Sequence, residues 1–353
     1  MKFLLLFVAL VYCGVPSMWQ VQPQFEDFMK VHHKAYEGNE YLKRLAIFRD
    51  NVIRAKERME ENPGSVHGVT QFMDLTPEEF SSQFLLDPIP SDELAKPCLR
   101  KGIYEPEAPK TIVGDHPDTW DWTTVPNIVT EVKDQASCGS CWAFSTAGNI
   151  EGMCGVAKTP VGSLSPQFIV DCSKGCSWEM YMGRNTTVCN QGCNGGWPWS
   201  ACMDIQNQGG LPGWDDYPYT GRTGTCKGNS GAKVLVKIAG YDCIGQDKTD
   251  NEDEIAEELY NRGPLSVALY ANYLQTYHGG ILHPPNCVTA YLNHAVTLVG
   301  YGTESGTPFW RVKNSWGASW GEQGYFRIYR GDGCCGINEA VLCAKLGSCT
   351  KSD

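Results

Sequence analysis

Between Pro23 and Met59 apolar positions recur at helical spacing. Phe25, Phe28, Met29 and His32 share one face, and Leu45, Phe48, Val52, Ala55 and Met59 continue in steps of three and four. Glu40 and Arg44 add an i,i+4 ion pair to the second half of this stretch. The pattern predicts a small helical domain. Pro77 with Glu78 and Glu79 behind it marks a further helix start. From Asp87 to about His116 periodicity lapses in a segment rich in Pro, Lys and Glu, which reads as an exposed linker open to proteolysis. Ser140 is placed to cap a helix running from Cys141 through Met153. Glu252–Arg262 is amphipathic, with Ile255 and Leu259 on one face and its charges on a solvated one. Beyond Pro264 the period becomes two. Strands are predicted at 265–270, 295–301, 309–313 and 324–329, with Gly-rich turns between them, one holding Gly300-Tyr-Gly302. A helical first half and a β second half predict an α+β fold.

Charge and targeting narrow the class. The chain has 353 residues and a formal net charge of −11, which argues against nucleic acid and suits an acidic compartment. Met1–Ser17 carries Lys2, an apolar run Phe3–Tyr12 and then small residues, the pattern of a secretory signal peptide; no other stretch is apolar enough to span a bilayer. Of seventeen cysteines, Cys13 falls in that leader and Cys98 in the pro-segment. Setting Cys141 aside leaves an even number, able to form seven bridges. Asn185-Thr-Thr is a glycosylation sequon inside the loop from Cys172 to Cys193, which has its own pair, Cys176 and Cys189. The histidines His32, His33, His67, His116, His278 and His283 show no ligand spacing, so neither metal nor cofactor is called for.

The chemistry centres on Gln135-Ala-Ser-Cys-Gly-Ser-Cys-Trp-Ala-Phe144. A cysteine in the first helical turn meets unsatisfied N–H groups and the positive end of the helix dipole, which favour its thiolate. A Cys-x-x-Cys pair also fits a redox motif or half a zinc site, but no second ligand pair and no βαβ context accompany it. The segment resembles the active-site segment of papain-family cysteine proteases, in which the first cysteine is structural and the second is the nucleophile. Glu40, Arg44, Phe48 and Asn51 resemble the spaced motif of cathepsin L-like propeptides, with Ala55 closer to the cathepsin F branch. Gly68–Asp74 resembles the second propeptide motif, with Thr70 in place of Asn. Pro117-Asp-Thr-Trp-Asp-Trp122 is similar to the start of mature papain-like enzymes.

That resemblance implies a papain-like two-lobed fold behind a small helical propeptide: leader 1–17, inhibitory propeptide 18–114, peptidase domain 115–353, with processing between Ala108 and Pro117. It implies His294 as the base, in Leu-Asn-His-Ala-Val-Thr-Leu, and Asn314 as its orienting partner, in Val-Lys-Asn-Ser-Trp-Gly, with Trp316 shielding their bond. Gln135 and the Cys141 amide would hold the oxyanion. His294 follows Cys141 by 153 positions, beyond the usual range of roughly 130–150; the long Cys172–Cys193 loop accounts for the excess. Bridges Cys138–Cys193, Cys172–Cys226 and Cys287–Cys335 carry over, with Cys334 a rival for the last, and Cys176–Cys189 is added locally. Gly195, Gly196, Trp197, Pro198, Ala268 and Leu292 would line the substrate site, with Ala340, or Glu339 one step earlier, on the floor of the P2 pocket. The resemblance implies a secreted or lysosome-like endopeptidase acting on proteins and peptides. Its own propeptide would inhibit it, cystatin-like proteins would be possible inhibitors, and an apolar P2 residue would be preferred. Two rival readings are a catalytically silent binding glycoprotein and a propeptide that inhibits other proteases. The tail Cys343–Asp353 and the extra cysteines depart from the family pattern.

Overall fold

The first periodic stretch folds as two helices, α1 (Met18–Val31) and α2 (Gly38–Glu61). The computed structural model describes residues 15–90, 116–181, 184–229, 231–245 and 251–351. Most of the leader, Cys13, Cys98 and the processing stretch around Ala108 lie outside the described residues. Helix α1 begins ahead of Pro23, not at it. Proline there removes the N–H that would bond the Trp19 carbonyl, and Trp19 is exposed, so solvent can take its place. Val21, Phe25, Phe28, Leu45, Phe48 and Met73 close a small core of their own. Buried Asn51 ties the second propeptide motif to α2, its Nδ2 donating to the carbonyls of Met73 and Leu75 at 2.8 Å each. Arg44 joins Glu40 and Glu79 at 2.6 Å each, so the helical pair extends to a third residue.

Strand β1 (Ser65–His67) and helix α3 (Pro77–Phe84) follow. A reciprocal cap starts α3: Thr76 Oγ1 accepts from the Glu79 amide and Glu79 Oε2 accepts from the Thr76 amide. After strand β2 (Ile89–Pro90), the description resumes with β3 (Trp120–Asp121) and the central helix α4 (Cys141–Val156). Helix α4 is buried nearly all round, so it carries no amphipathic stripe. Its glycines permit close packing: a Cβ on Gly148 would come within 2.7 Å of Thr297, and one on Gly152 within 2.5 Å of Pro264.

Helix α5 (Pro166–Cys172) leads into the hairpin β4 (Cys176–Tyr181) and β5 (Arg184–Cys189), which carries Asn185 and is closed by a Cys176–Cys189 bridge. Then come α6 (Pro198–Asn207), β6 (Leu211–Pro212), β7 (Val234–Cys243) and α7 (Glu252–Arg262). The β half holds β8 (Leu265–Leu269), β9 (Tyr277–Leu282), β10 (Tyr291–Leu292), β11 (His294–Glu304), β12 (Thr307–Lys313), β13 (Tyr325–Tyr329) and β14 (Val341–Cys349). One sheet runs β1-β9-β13-β12-β11-β8-β14-β7-β6, with β3 on β11. The propeptide thus supplies an edge strand to the sheet of the domain it covers.

Three sequence readings need correction. Gly300–Gly302 is not a turn but lies inside β11, at a register shift where a Cβ on Gly300 would meet the Trp120 carbonyl at 2.6 Å. Glu252 is not on a solvated face. It is buried, accepts from Trp310 Nε1 at 2.8 Å and from the Gly331 amide, and burial raises its carboxyl. Finally, the seven bridges that parity allows do not form, because Cys202, Cys334 and Cys343 are free and buried along with Cys141. Such thiols serve as small apolar core residues. A bridge between Cys154 and Cys349 ties the end of α4 to the last strand.

Replacing Asn51 by alanine strips the Met73 carbonyl of its donor inside a buried seam. The expected cost to the propeptide is about 1–3 kcal/mol, read as a lower urea midpoint for its unfolding; an unchanged midpoint would contradict this account of the seam.

Candidate active site

Cys141 occupies the first turn of α4, fully buried. Ser140 sits at the cap position, and its carbonyl accepts from the amides of Ala143 and Phe144. Its hydroxyl makes no cap bond, contrary to the sequence reading, and instead meets Tyr219 Oη at 2.6 Å. Tyr219 Oη also donates to the Gln135 carbonyl at 2.7 Å, so one phenol spans the loop from Gln135 to Cys141. A Cys138–Cys193 bridge pins the same loop to the Gly195–Gly196 segment. Gly139 is required there, since a Cβ would stand 2.7 Å from the Cys193 carbonyl.

From the β half, β11 delivers His294 as its first residue, and Asn314 follows β12 directly. The two strands pair, which brings His294 Nε2 to 2.8 Å from Asn314 Oδ1. Trp316 stacks on the imidazole at 4.7 Å with an interplanar angle of 24° and is itself buried. Among the described residues the other ring nitrogen, Nδ1, has no hydrogen-bond partner. Burial pushes the Cys141 thiol up to about 12, against the pull of the amides of Ala295, Trp142 and Cys141 itself. Burial likewise lowers His294 to about 4, although its bond to Asn314 acts the other way. In this covered state burial therefore favours the neutral thiol and the neutral imidazole. The dipole argument from sequence omitted the cost of desolvation.

The cover is the propeptide. Phe72 and Phe80 stand edge-on to Trp316, at 5.2 and 5.4 Å, and Gln71 Nε2 donates to the Trp316 carbonyl at 2.9 Å. Gln135 Nε2 donates to the Phe84 carbonyl at 3.1 Å and to the Cys138 carbonyl at 2.9 Å. Ser315 Oγ donates to Gln135 Oε1 at 2.6 Å and thereby fixes which end of that amide faces the cleft. Leu86 bonds the Asn293 carbonyl at 2.7 Å and lies against Gly195, while β2 pairs with β10.

Gly195 has φ 117°, and a Cβ on Gly196 would strike the Trp142 ring at 2.6 Å. Trp197, Pro198, Ala268 and Ala340 line one small cavity with Val341 and Leu342. Leu292 does not line it; its backbone pairs with Ile89 of the propeptide. Cys172 is bridged to Cys226 and Cys287 to Cys335, with Cys334 Sγ 3.8 Å from the Cys335 sulfur.

Comparison with known proteins supplies the family. Residues 116–345 match the model of the papain family cysteine proteases, and residues 25–80 that of the cathepsin propeptide inhibitor domain. This chain belongs to the papain family. It is a papain-like cysteine endopeptidase in precursor form, with an inhibitory propeptide. It is 41% identical to a probable cysteine protease of Arabidopsis thaliana over 91% of this chain and 85% of the other. With cathepsin F of Mus musculus it shares 40% identity over 90% of this chain and 64% of the other. Digestive procathepsin L2 from the larval midgut of Tenebrio molitor superposes with a TM-score of 0.77 at 30% identity, over 92% of this chain and 100% of that one.

Sequence reasoning missed Tyr219 and Ser315. Tyr219 lies 84 residues from Gln135, with no periodicity linking them; Ser315 is a small polar residue beside Asn314, and only its bond shows its use. Ser315→Ala should free the Gln135 amide to rotate. Losing one such bond is worth about 1–1.5 kcal/mol, roughly tenfold in kcat. KM and the rate of thiol labelling should stay unchanged. A raised KM with kcat intact would show that Ser315 does not orient this amide.

Proposed function

We propose that Cys141 is the nucleophile, His294 its base, Asn314 the orienter of that base, and Gln135 with the Cys141 amide the oxyanion donors. The observation that carries this reading is the Phe84 carbonyl on Gln135 Nε2. A peptide carbonyl from the propeptide occupies the donor that a scissile carbonyl would need, beside a buried thiol and an imidazole already tied to an asparagine. Once the cover leaves, both groups regain water and the helix dipole favours the thiolate, with the proton on His294. The thiolate attacks the peptide carbonyl and the oxyanion draws on Gln135. His294 returns its proton to the leaving amine, and water then releases the acyl-enzyme.

The propeptide runs from Trp316 past Gln135 towards Gly195. If the residues before the cut bind at Gly195–Gly196, the propeptide lies opposite to a substrate and escapes cleavage. We place the domain boundary near residue 114, within the linker, and the enzyme in the secretory pathway or a lysosome-like compartment. Asn185 would be its glycan site and cystatin-like proteins its inhibitors. Retention of Cys141, His294, Asn314 and Gln135 together speaks against a silent binding protein.

A thiol-directed epoxide should label Cys141 stoichiometrically in the processed enzyme and leave the precursor at neutral pH unlabelled. Labelling elsewhere, or equal labelling of both forms, would overturn the assignment. Gln135→Ala should lower kcat by about a hundredfold to a thousandfold.

Ala340 lines the apolar cavity with Trp197 and Ala268, and Glu339 does not. An apolar P2 side chain buried there gains about 1.5–3 kcal/mol. Peptides with Leu at P2 should be cut faster than those with Arg, and Ala340→Glu should confer cutting of the peptide with Arg at P2. Equal rates for the two peptides in the unaltered enzyme would contradict the assignment.

A further inference from the structure

Among the described residues, Glu40 and Glu79 hold Arg44 and Asp74 holds Lys34, ion pairs that close within the propeptide. Protonating them loosens the propeptide itself. The seam with the catalytic domain is built differently. Its edge is β1 on β9, and His67, the last residue of β1, stands opposite Tyr277 in register.

His67 is only 3% exposed. Its Nδ1 lies 2.9 Å from Thr276 Oγ1, and its Nε2 is buried with no hydrogen-bond partner among the described residues. The charged group facing it from α2 is Arg58, whose guanidinium donates to the carbonyls of Asn272 and Tyr273 and to Thr276 Oγ1. From β9, the Tyr277 ring stands edge-on at 6.3 Å with its hydroxyl committed to the Gly280 carbonyl. His278 on the same strand is exposed, and Glu322, which also reaches β9 at Gly280, is held by Arg327. A neutral imidazole fits this site, because an unmet lone pair on Nε2 is tolerable. An imidazolium does not fit, because its second N–H would be buried without an acceptor beside a fixed cation.

We propose that His67 is the acid trigger of the precursor: it docks only as the neutral imidazole, and protonation of the undocked form draws the propeptide off the β9 edge. This deepens the reading of the propeptide as the cover of the active site and rests on it. Burial first, and Arg58 second, lower the docked His67 from 6.5 to about 3. A histidine whose docked value lies below its free value stabilises docking fully above about pH 6.5. That stabilisation is lost as pH falls through the window from 6.5 towards 3. Each unit of pH within it weakens docking about tenfold, so docking at pH 5 is about thirtyfold weaker than at high pH. Glu79 is held below its usual 4.5, which its bonds to Arg44 and Thr76 achieve against burial, so its protonation comes later on the same descent. His67 moves first.

The test uses the full-length precursor carrying Cys141→Ala, which cannot process itself, so its outcome is independent of the catalytic assignment. The amides of Gly68 and Ile281 bond across the seam, to the Thr276 and Gly64 carbonyls, and report docking by hydrogen exchange corrected for intrinsic pH dependence. Their protection should fall between about pH 6.5 and 4.5. His67→Gln, and independently His67→Phe, should move that fall at least about one unit lower, even if either variant docks less tightly at neutral pH. In the same precursor, the His67 ring followed by NMR should show no titration near 6.5 while the seam amides stay protected. Unmoved midpoints in both variants, or a docked His67 that titrates near 6.5, would overturn the proposal. Failure of epoxide labelling at Cys141 would count against the protease assignment instead and leave this result standing.

Discussion

Desolvation of the reacting pair is the constraint on which the precursor depends. A thiolate and an imidazolium attract one another, yet removing both charges from water costs more than their attraction returns unless further bonds satisfy them. Beneath Phe72 and Phe80 the amides around Cys141 and the Asn314 oxygen do not offset burial, and among the described residues His294 Nδ1 has no hydrogen-bond partner. Burial therefore favours the neutral forms of Cys141 and His294. Latency in this reading has two parts: the propeptide blocks the cleft, and it also holds the nucleophile in its unreactive protonation state.

The two halves of the chain meet through a few short links, and each has a local cause. Gly148 of α4 lets β11 approach closely at Thr297, three residues past His294. Strand pairing of β11 with β12 then fixes the distance from His294 to Asn314. Ser315 and Tyr219 secure Gln135 from opposite sides, one through its side chain and the other through its carbonyl. Lys313, nearly sealed at the base of this junction, donates to Thr130, and burial lowers it to about 8.

Much of this was legible beforehand where periodicity or spacing carried it. The faces of α2 and α7 and the strands from Leu265 onward follow from positions of Leu, Ile, Val and Phe alone. Burial that depends on a distant partner was not legible. Glu252 reads as solvated until Trp310 and Gly331 close over it, and Gly300 reads as a turn until β3 lies against it. Free cysteines in the core defeat parity, since a buried thiol and half a bridge are the same letter. The site residues stood out by their neighbours in sequence, whereas the groups that hold them, Tyr219 and Ser315, act through bonds between segments that sequence does not pair.

The central claim is that covering the site keeps the pair neutral and uncovering it makes the ion pair. The ultraviolet absorbance of the Cys141 thiolate, taken as the difference from the Cys141→Ser protein in the same form, measures this directly in the precursor and in the processed enzyme at neutral pH. The account predicts no thiolate signal in the precursor and a full one after processing; a full thiolate signal in the intact precursor would contradict it.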